Sequence, residues 1–196
     1  MVLASLFVSA PIPAVAQNSS TQTAGIDAAL LARANAGDVA SQVQVGDSYA
    51  GGSGQARNPK QLAEDYRQAA VWFRKAAEKG DIAGELRLAA LYRDGRGVER
   101  DMAQAAEWYR KAAEQGDADA QATLGVLYSM GQGVPHSDVE AYYWLDLAAA
   151  AKGPNQEKYA ANRQMIGTHI TADELADVEE RVAKWLSAHP RPATAN

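Results

Sequence analysis

Residues 70–81, AVWFRKAAEKGD, and residues 106–117, AEWYRKAAEQGD, decide the fold of this chain. The two segments match almost residue for residue and lie 36 residues apart. A fixed period of this length is typical of arrays in which one supersecondary unit is stacked on the next. The chain is therefore predicted to be a repeat protein.

Other residues recur at the same spacing. Trp72, Trp108 and Trp144 are separated by 36 residues, and so are Tyr92 and Tyr128. Each unit contains two amphipathic patterns with apolar residues at positions i, i+3, i+4, i+7 and i+8, which indicate a helical pair. The first helix of the third unit has Ala120, Thr123, Leu124, Leu127 and Tyr128 on this face, and the second has Ala141, Trp144, Leu145, Ala148 and Ala149. We expect the three tryptophans to be core residues.

Glycines mark the ends of these helices. Gly95 and Gly131 end the first helices, where glycine adopts positive φ without a steric penalty. Gly80-Asp81 and Gly116-Asp117 end the second helices, and each aspartate can cap the helix that follows. The fold class is accordingly all-α, an α/α solenoid of helix-turn-helix repeats.

The period also divides the chain. Tyr49 and Trp72 are 23 residues apart, against 16 for Tyr92 and Trp108, so the first unit has seven extra residues, which we assign to a loop over 51–59. This loop is either a tolerated surface insertion or a binding feature.

Thr171 and Glu174 form a capping box that opens a last helix, in which Trp185 covers the final repeat. The predicted divisions are a signal peptide (1–16), a disordered segment (17–24), a half-unit (25–37), three units (38–80, 81–116 and 117–153), C-terminal capping helices (154–187) and a disordered tail (188–196).

Composition excludes several classes of function. The net charge is −5, and basic residues are interleaved with acidic ones, so no basic stripe for nucleic acid is present. The absence of cysteine excludes disulfides, thiolate metal sites and cysteine nucleophiles.

The first sixteen residues resemble a secretory leader. The apolar run at 2–10 is followed by Ala14-Val15-Ala16, an A-x-A cleavage pattern, although no Lys or Arg precedes Arg33. The segment is either such a leader or a disordered apolar tail. The first alternative predicts a periplasmic or secreted bacterial protein with no membrane-spanning segment after cleavage near Ala16.

The repeats resemble the Sel-one-like repeat (SLR) family, a subclass of the tetratricopeptide superfamily. The second unit matches the family pattern at Gly84, Leu88, Ala89, Tyr92, Gly95, Gly97, Val98, Asp101, Ala105, Trp108, Tyr109, Ala112, Ala113 and Gly116. The third unit departs from it with Ser137 at the usual Asp, and the first unit lacks the G-x-G-V turn. The resemblance covers roughly residues 27–153.

The resemblance implies a right-handed superhelix that takes part in protein complexes through a concave groove lined by the first helices. The groove residues that it implies are Asp47, Leu86, Ala90, Arg93, Asp94, Val126, Ser129 and Met130, with Ala122 on the same strip. The expected partner is a protein that supplies a peptide or helix. The oligomeric state stays open, with a monomer favoured.

No motif for catalysis or metal binding was found. His136, His169 and His189 are far apart in sequence and assigned to different elements, and no nucleophile elbow or phosphate-binding loop is present. We therefore expect no cofactor, no metal and no enzymatic activity. The leading hypothesis is an exported scaffold or adaptor that regulates a membrane sensor or assembles an envelope complex. The alternatives are an immunity or chaperone protein that binds a toxin or secreted effector, and an enzyme or cell-wall-ligand binder.

Overall fold

A computed structural model describes residues 25–51 and 58–190, and these contain nine helices and no strand. The helices are α1 (Ala28–Asn35), α2 (Val39–Gly51), α3 (Pro59–Ala77), α4 (Ile82–Asp94), α5 (Met102–Glu114), α6 (Ala118–Met130), α7 (Asp138–Ala149), α8 (Gln156–Gly167) and α9 (Ala172–Ala188). The all-α repeat fold is confirmed. The leader, the segment 17–24 and residues 191–196 lie outside the described residues, and α9 ends at Ala188, one residue into the predicted tail.

The helices pack as an array of antiparallel pairs. Helices α2, α4 and α6 are the first helices of the three units, and each packs against its own second helix, α3, α5 or α7. Each second helix then packs against the first helix that follows. Small side chains fill most of these contacts and let the helices approach closely, while Phe73, Leu88, Leu124 and Leu145 supply the larger fully buried side chains.

The helix ends follow the sequence prediction. The carboxylates of Asp81 and Asp117 each accept a hydrogen bond of 2.8 Å from a backbone amide in the first turn of α4 or α6. Gly95 and Gly131 end these helices in the left-handed conformation, with φ of 67° and 61°. The predicted N-caps and glycine C-caps are therefore confirmed.

A second glycine in each turn fits the turn to the preceding unit. Gly97 and Gly133 both have a φ of 72°. A Cβ on Gly97 would overlap the backbone carbonyl of Tyr66 in α3, and one on Gly133 would overlap the carbonyl of Met102 in α5. Tyr66 and Met102 are equivalent residues, 36 apart. Each G-x-G turn therefore rests on the backbone of the preceding second helix.

The first unit differs from the predicted loop. Gly51 is the last residue of α2, and Pro59 is the first residue of α3, with Asn58 as its N-cap. Residues 52–58 lie between them, and of these 52–57 are outside the described part of the chain. Most of the extra length lies in α3, which has 19 residues against 13 in α5. Proline suits the first helical turn because its missing N–H has no partner to lose there.

The three repeated tryptophans are core residues, as predicted, with 6–7% of each residue exposed. At the C-terminal end, α8 packs against α7, and α9 turns back to pack against α7 as well. The predicted capping box of Thr171 and Glu174 is present at the start of α9. Trp185 is partly buried against the cluster that contains Ala112 and Ala113 of α5.

Candidate protein-binding surface

An open cleft of about 510 Å³ lies between the first helices α2 and α4, above α3, and is called the α2–α4 cleft below. Its lining includes Gly51, the last residue described before 52–57. Its lining consists of Asp47, Ala50 and Gly51 of α2, Tyr66 and Phe73 of α3, Leu86, Arg87, Ala90, Leu91 and Asp94 of α4, and Arg96.

The floor of the cleft is apolar. Phe73 is almost completely buried, and its ring lies so close to Gly46 of α2 that a Cβ there would overlap it. Glycine at position 46 thus brings α2 close to α3 and sets the depth of the floor. Leu86 and Ala90 stay half-buried on the side of α4 that faces the cleft. These side chains offer apolar surface to a partner without being part of the sealed core.

Arginine side chains line the edges of this apolar floor. Arg87 pairs with Asp47 across the cleft at 2.6 Å, and its guanidinium lies 5.9 Å from the centre of the Phe73 ring. Arg96 donates a hydrogen bond of 3.3 Å to the Tyr66 hydroxyl, and its guanidinium lies 5.5 Å from that ring. The Asp47–Arg87 pair is largely exposed, so it adds little to stability and can be displaced at low cost.

The cleft ends at a cluster of three arginines around one carboxylate. Arg93 Nε donates to Asp94 Oδ1 at 2.8 Å, and Arg100 Nε donates to the backbone carbonyl of Arg93 at 3.0 Å. The hydrogen bond from Arg93 is the main cause of the lowered pKa of Asp94, which Arg96 and Arg100 lower further by their charge. The cluster keeps an excess of positive charge in a chain whose net charge is −5.

The matching turn of the third unit has no such cluster. Ser129, Met130, Gln132 and His136 stand at the positions of Arg93, Asp94, Arg96 and Arg100. The two turns share their glycines and their backbone conformation. They therefore differ in charge and not in shape.

The structure brings together half of the residues predicted for the groove. Asp47, Leu86, Ala90 and Asp94 line the α2–α4 cleft. Arg93 lies beside it and donates a hydrogen bond of 3.2 Å to the Tyr109 hydroxyl.

The predicted residues of α6 lie elsewhere. Val126, Ser129 and Met130 are outside the lining of the cleft; Ser129 donates to the Val126 carbonyl at 2.9 Å, and Met130 is 59% exposed. Ala122 is buried in a cluster with Leu145 and with Tyr159 of α8. Helix α8 therefore covers the part of the predicted strip around Ala122.

Seven lining residues were not among the predicted groove residues: Ala50, Gly51, Tyr66, Phe73, Arg87, Leu91 and Arg96. Phe73 aligns with a buried position of the repeat, so the sequence predicts a core residue, and Phe73 is indeed buried. Tyr66 aligns with Met102 at the start of the next unit's second helix and was not assigned to the groove. The pair Arg96 and Arg100 did carry a signal, since the third unit has no basic side chain other than His136 at those positions.

Two histidines that are distant in sequence approach one carboxylate. His136 Nε2 lies 3.5 Å from Asp138 Oδ1, and His169 Nδ1 lies 3.6 Å from Asp138 Oδ2. The turn before α9 folds back onto the start of α7 and brings these two histidines, which belong to different elements, to the same carboxylate. Both histidines are mostly exposed, and within residues 25–51 and 58–190 no group of three or more His, Asp or Glu side chains has an arrangement that could hold a metal ion.

Comparison with known proteins identifies the repeats. The family model described as Sel1 repeat matches residues 39–81, 82–117 and 118–152. No match was found among curated proteins. The matched segments begin and end within two residues of the predicted units.

Two solved structures are similar to this chain. A Sel1 repeat protein from Oxalobacter formigenes is 34% identical, with a TM-score of 0.56, over 67% of this chain and 96% of that protein. A protective antigen present in uropathogenic Escherichia coli strains, which displays an SLR fold, is 27% identical with a TM-score of 0.57. That match covers 85% of this chain but only 44% of the antigen, so the chain spans less than half of its length. In the part of the chain that the structure describes, no helix has the length and apolar character needed to cross a membrane.

Proposed function

The chain belongs to the Sel1 repeat family, and we propose that it is a non-catalytic scaffold that binds a partner protein through the α2–α4 cleft. Sel1 repeat proteins generally mediate protein–protein interactions, and their fold is typically non-catalytic. The observation that carries the proposal is the cleft itself, whose half-buried apolar floor is bounded by charged side chains.

The partner segment that fits this cleft is an acidic peptide or helix with a large apolar side chain. The apolar side chain would lie on the half-buried Leu86 and Ala90, over the buried ring of Phe73, and burial there contributes about 25 cal/mol per Å² of apolar area removed from water. The acidic residues would face Arg96 and Arg100, whose guanidinium groups suit bidentate contacts with carboxylates. An acidic partner also matches the charge contrast between this end of the cleft and the acidic chain as a whole.

The cellular setting that we propose is the bacterial envelope. The apolar run at 2–10 with Ala14-Val15-Ala16 supports export, and for an exported member of this family we propose a role in regulating a membrane sensor or in assembling an envelope complex. Either role requires an adaptor with one well-defined docking site. N-terminal sequencing of the protein from a periplasmic fraction tests export; a chain that begins near Gln17 is expected, and an intact N-terminus in the cytoplasm would contradict it.

Site-specific photo-crosslinking tests the cleft. A benzophenone amino acid is placed at Ala90 in the cleft and, as a control, at Met165, which is 64% exposed on α8. We expect one crosslinked protein from position 90 and none from position 165, and mass spectrometry then identifies it. Equal crosslinking from both positions would mean that the cleft does not select a partner.

Two matched variants then separate the cleft from the rest of the predicted groove. Ala90→Arg fills the cleft, while Val126→Arg makes the same change one repeat later, outside its lining. For the identified partner we expect Ala90→Arg to weaken binding at least tenfold and Val126→Arg to change it less than threefold. Arg96→Glu with Arg100→Glu should weaken binding and reduce its dependence on salt. Comparable losses from Ala90→Arg and Val126→Arg would reject the cleft in favour of a longer groove.

A further inference from the structure

One buried position of the repeat holds a carboxyl group where its equivalents hold an amide. Gln42, Glu85 and Gln121 are separated by 43 and 36 residues, which is the period with and without the seven extra residues of the first unit. All three are buried, with 4%, 2% and 0% of the residue exposed. The position therefore faces the same junction in every unit, between a first helix and the second helix that precedes it.

The two glutamines perform one task there. Gln42 Nε2 donates to the carbonyl oxygen of Ala34 at 3.1 Å, and Gln121 Nε2 donates to the carbonyl oxygen of Ala113 at 3.0 Å. These carbonyls lie in the last turns of α1 and α5, where each also accepts a hydrogen bond from the backbone amide of the glycine three residues on, Gly37 or Gly116. The amides thus fix α2 and α6 to the end of the preceding second helix.

The equivalent carbonyl for Glu85 is that of Ala77, at the end of α3. An ionised carboxylate has no proton to donate to it, whereas a protonated carboxyl group has one O–H donor. In the structure Glu85 Oε2 accepts a hydrogen bond of 2.8 Å from Gln115 Nε2 of α5. One oxygen is therefore held by α5, and Glu85 occupies the position from which the glutamine amides reach their carbonyls in the other two units.

The groups around Glu85 favour its neutral form. Burial is the main cause that raises its pKa from an ordinary value of 4.5 to about 7, and the charges of Asp81 and Glu114 raise it further. Lys111 and the hydrogen bond from Gln115 act in the opposite direction. The charged groups that face Glu85 are thus Asp81 at the start of α4 and Lys111 and Glu114 of α5.

We propose that Glu85 is a proton-operated joint at the junction of α3, α4 and α5: its protonated carboxyl group donates to the Ala77 carbonyl, as the amides of Gln42 and Gln121 do at their junctions, and its ionisation releases this bond. Helix α4 is one wall of the α2–α4 cleft, so the joint holds that wall most firmly under mildly acidic conditions. The inference depends on the repeat geometry and not on whether the cleft binds a protein.

The direction of the pH effect follows from proton linkage. Because the folded chain holds a proton on Glu85 at pH values where the unfolded chain has lost it, the stability that the neutral group contributes is complete below pH 4.5. It is lost as the pH rises through about 7. Glu85→Gln supplies a permanent donor and removes the titration.

Thermal unfolding of the full chain between pH 5 and pH 8.5 tests the joint. We expect the Tm of Glu85→Gln to approach that of the wild type at pH 5 and to exceed it by about 5 °C at pH 8. Gln115→Ala removes a donor that favours the ionised form, so the fall in Tm should move to higher pH. Gln121→Glu places a carboxyl group at the next junction and should introduce a second fall in Tm as the pH rises.

The outcomes separate a titrating joint from a passive contact. A difference in Tm between wild type and Glu85→Gln that stays constant with pH would overturn the proposal, since it would reflect packing alone. A fall in the wild type that is complete below pH 5.5 would overturn it as well. Even if Gln121→Glu fails to fold at pH 8, the wild type and Glu85→Gln decide the matter.

Discussion

Helices α5 and α7 hold equivalent places in successive units, but their tryptophans are covered in different ways. In α5 the ammonium group of Lys111 lies 3.8 Å from the centre of the Trp108 ring, and Lys75 covers Trp72 in α3 at 3.9 Å. In α7 the same position is Leu147, which is completely buried in a cluster with Trp144, Val178 and Val182. An internal unit therefore covers its tryptophan with a solvated cation, and the terminal unit covers it with helix α9.

The same two helices also differ in their contact with the helix that follows. The cation of this contact is supplied by α5 in one case and by the following helix, α8, in the other. Arg110 of α5 donates to the Tyr128 hydroxyl of α6 at 2.7 Å, and Arg74 of α3 donates to Tyr92 of α4. In α7 the equivalent residue is Asp146, which accepts from Arg163 of α8. Helix α8 thus takes the place of a first helix but carries the cation itself. This difference shows that the terminal pair is specific to the end of the array.

Exchanging the residues that cover the tryptophans should have the largest effect on the free energy of unfolding. Leu147→Lys places an ammonium group beneath α9 with no partner, so we expect a loss of about 4 kcal/mol in the free energy of unfolding. Lys111→Leu makes the reciprocal change at a surface position and should alter stability by less than about 1 kcal/mol. Urea unfolding followed by far-UV circular dichroism measures both.

A truncated chain ending at residue 170 provides the control, because it lacks α9. There Leu147→Lys should have much less effect, since the ammonium group reaches water. A loss of equal size with and without α9 would show that the packing of α7 itself, and not the cover, demands leucine at position 147.

Substitution of the turn glycines should destabilise both units to the same extent. Gly97→Ala and Gly133→Ala each place a methyl group into a backbone carbonyl of the preceding second helix at positive φ, so we expect losses of about 3 kcal/mol. Gly80→Ala is the matched control: it also has positive φ, at 77°, but no atom within 4 Å of the new methyl group, and should cost about 1 kcal/mol. If all three lose the same stability in thermal unfolding, backbone strain and not the contact is responsible.

Reversing the pair at α7 and α8 should have the smallest effect. Asp146→Arg sets two cations side by side, and Arg163→Asp sets two anions, so each should lose about 1 kcal/mol from a partly exposed pair. The double variant restores opposite charges and should recover most of the loss. A double-mutant cycle by urea unfolding measures this coupling; additive losses would mean that the pair does not hold α8 in place.

Periodicity accounts for what the sequence predicted well. Residues such as Trp108 and Gly131 recur in matching contexts, so the helices of the second and third units, their caps and their buried tryptophans could be placed. Where the period is interrupted, local composition misled: Gly51 and Pro59 indicated a loop, yet both are helical. Asn58-Pro59 is the N-cap and N1 signal of α3, but the glycines before it concealed that signal.

The cleft was predicted only in part for a related reason. Its α4 wall follows from family resemblance, whereas its floor comes from α3, where Phe73 lies at a core position and Tyr66 at the position of Met102 in the next unit. The coverage of Ala122 by Tyr159 depends on how the terminal helices pack, and no repeat pattern specifies that. The approach of His136 and His169 to Asp138 has the same origin, since it joins residues from two different irregular turns.

The contact between each G-x-G turn and the helix before it also controls how such a gene can lengthen. A duplicated copy of residues 82–117 inserted after Asp117 would rest its own turn on α5 and offer an equivalent helix to the unit that follows. A copy placed directly after α1 would follow a helix that begins at Ala28, whereas the position equivalent to Tyr66 is residue 23, so α1 itself does not supply that support. Growth by tandem duplication is thus favoured in the interior of the array, and its N-terminal end can change only together with the helix that precedes it.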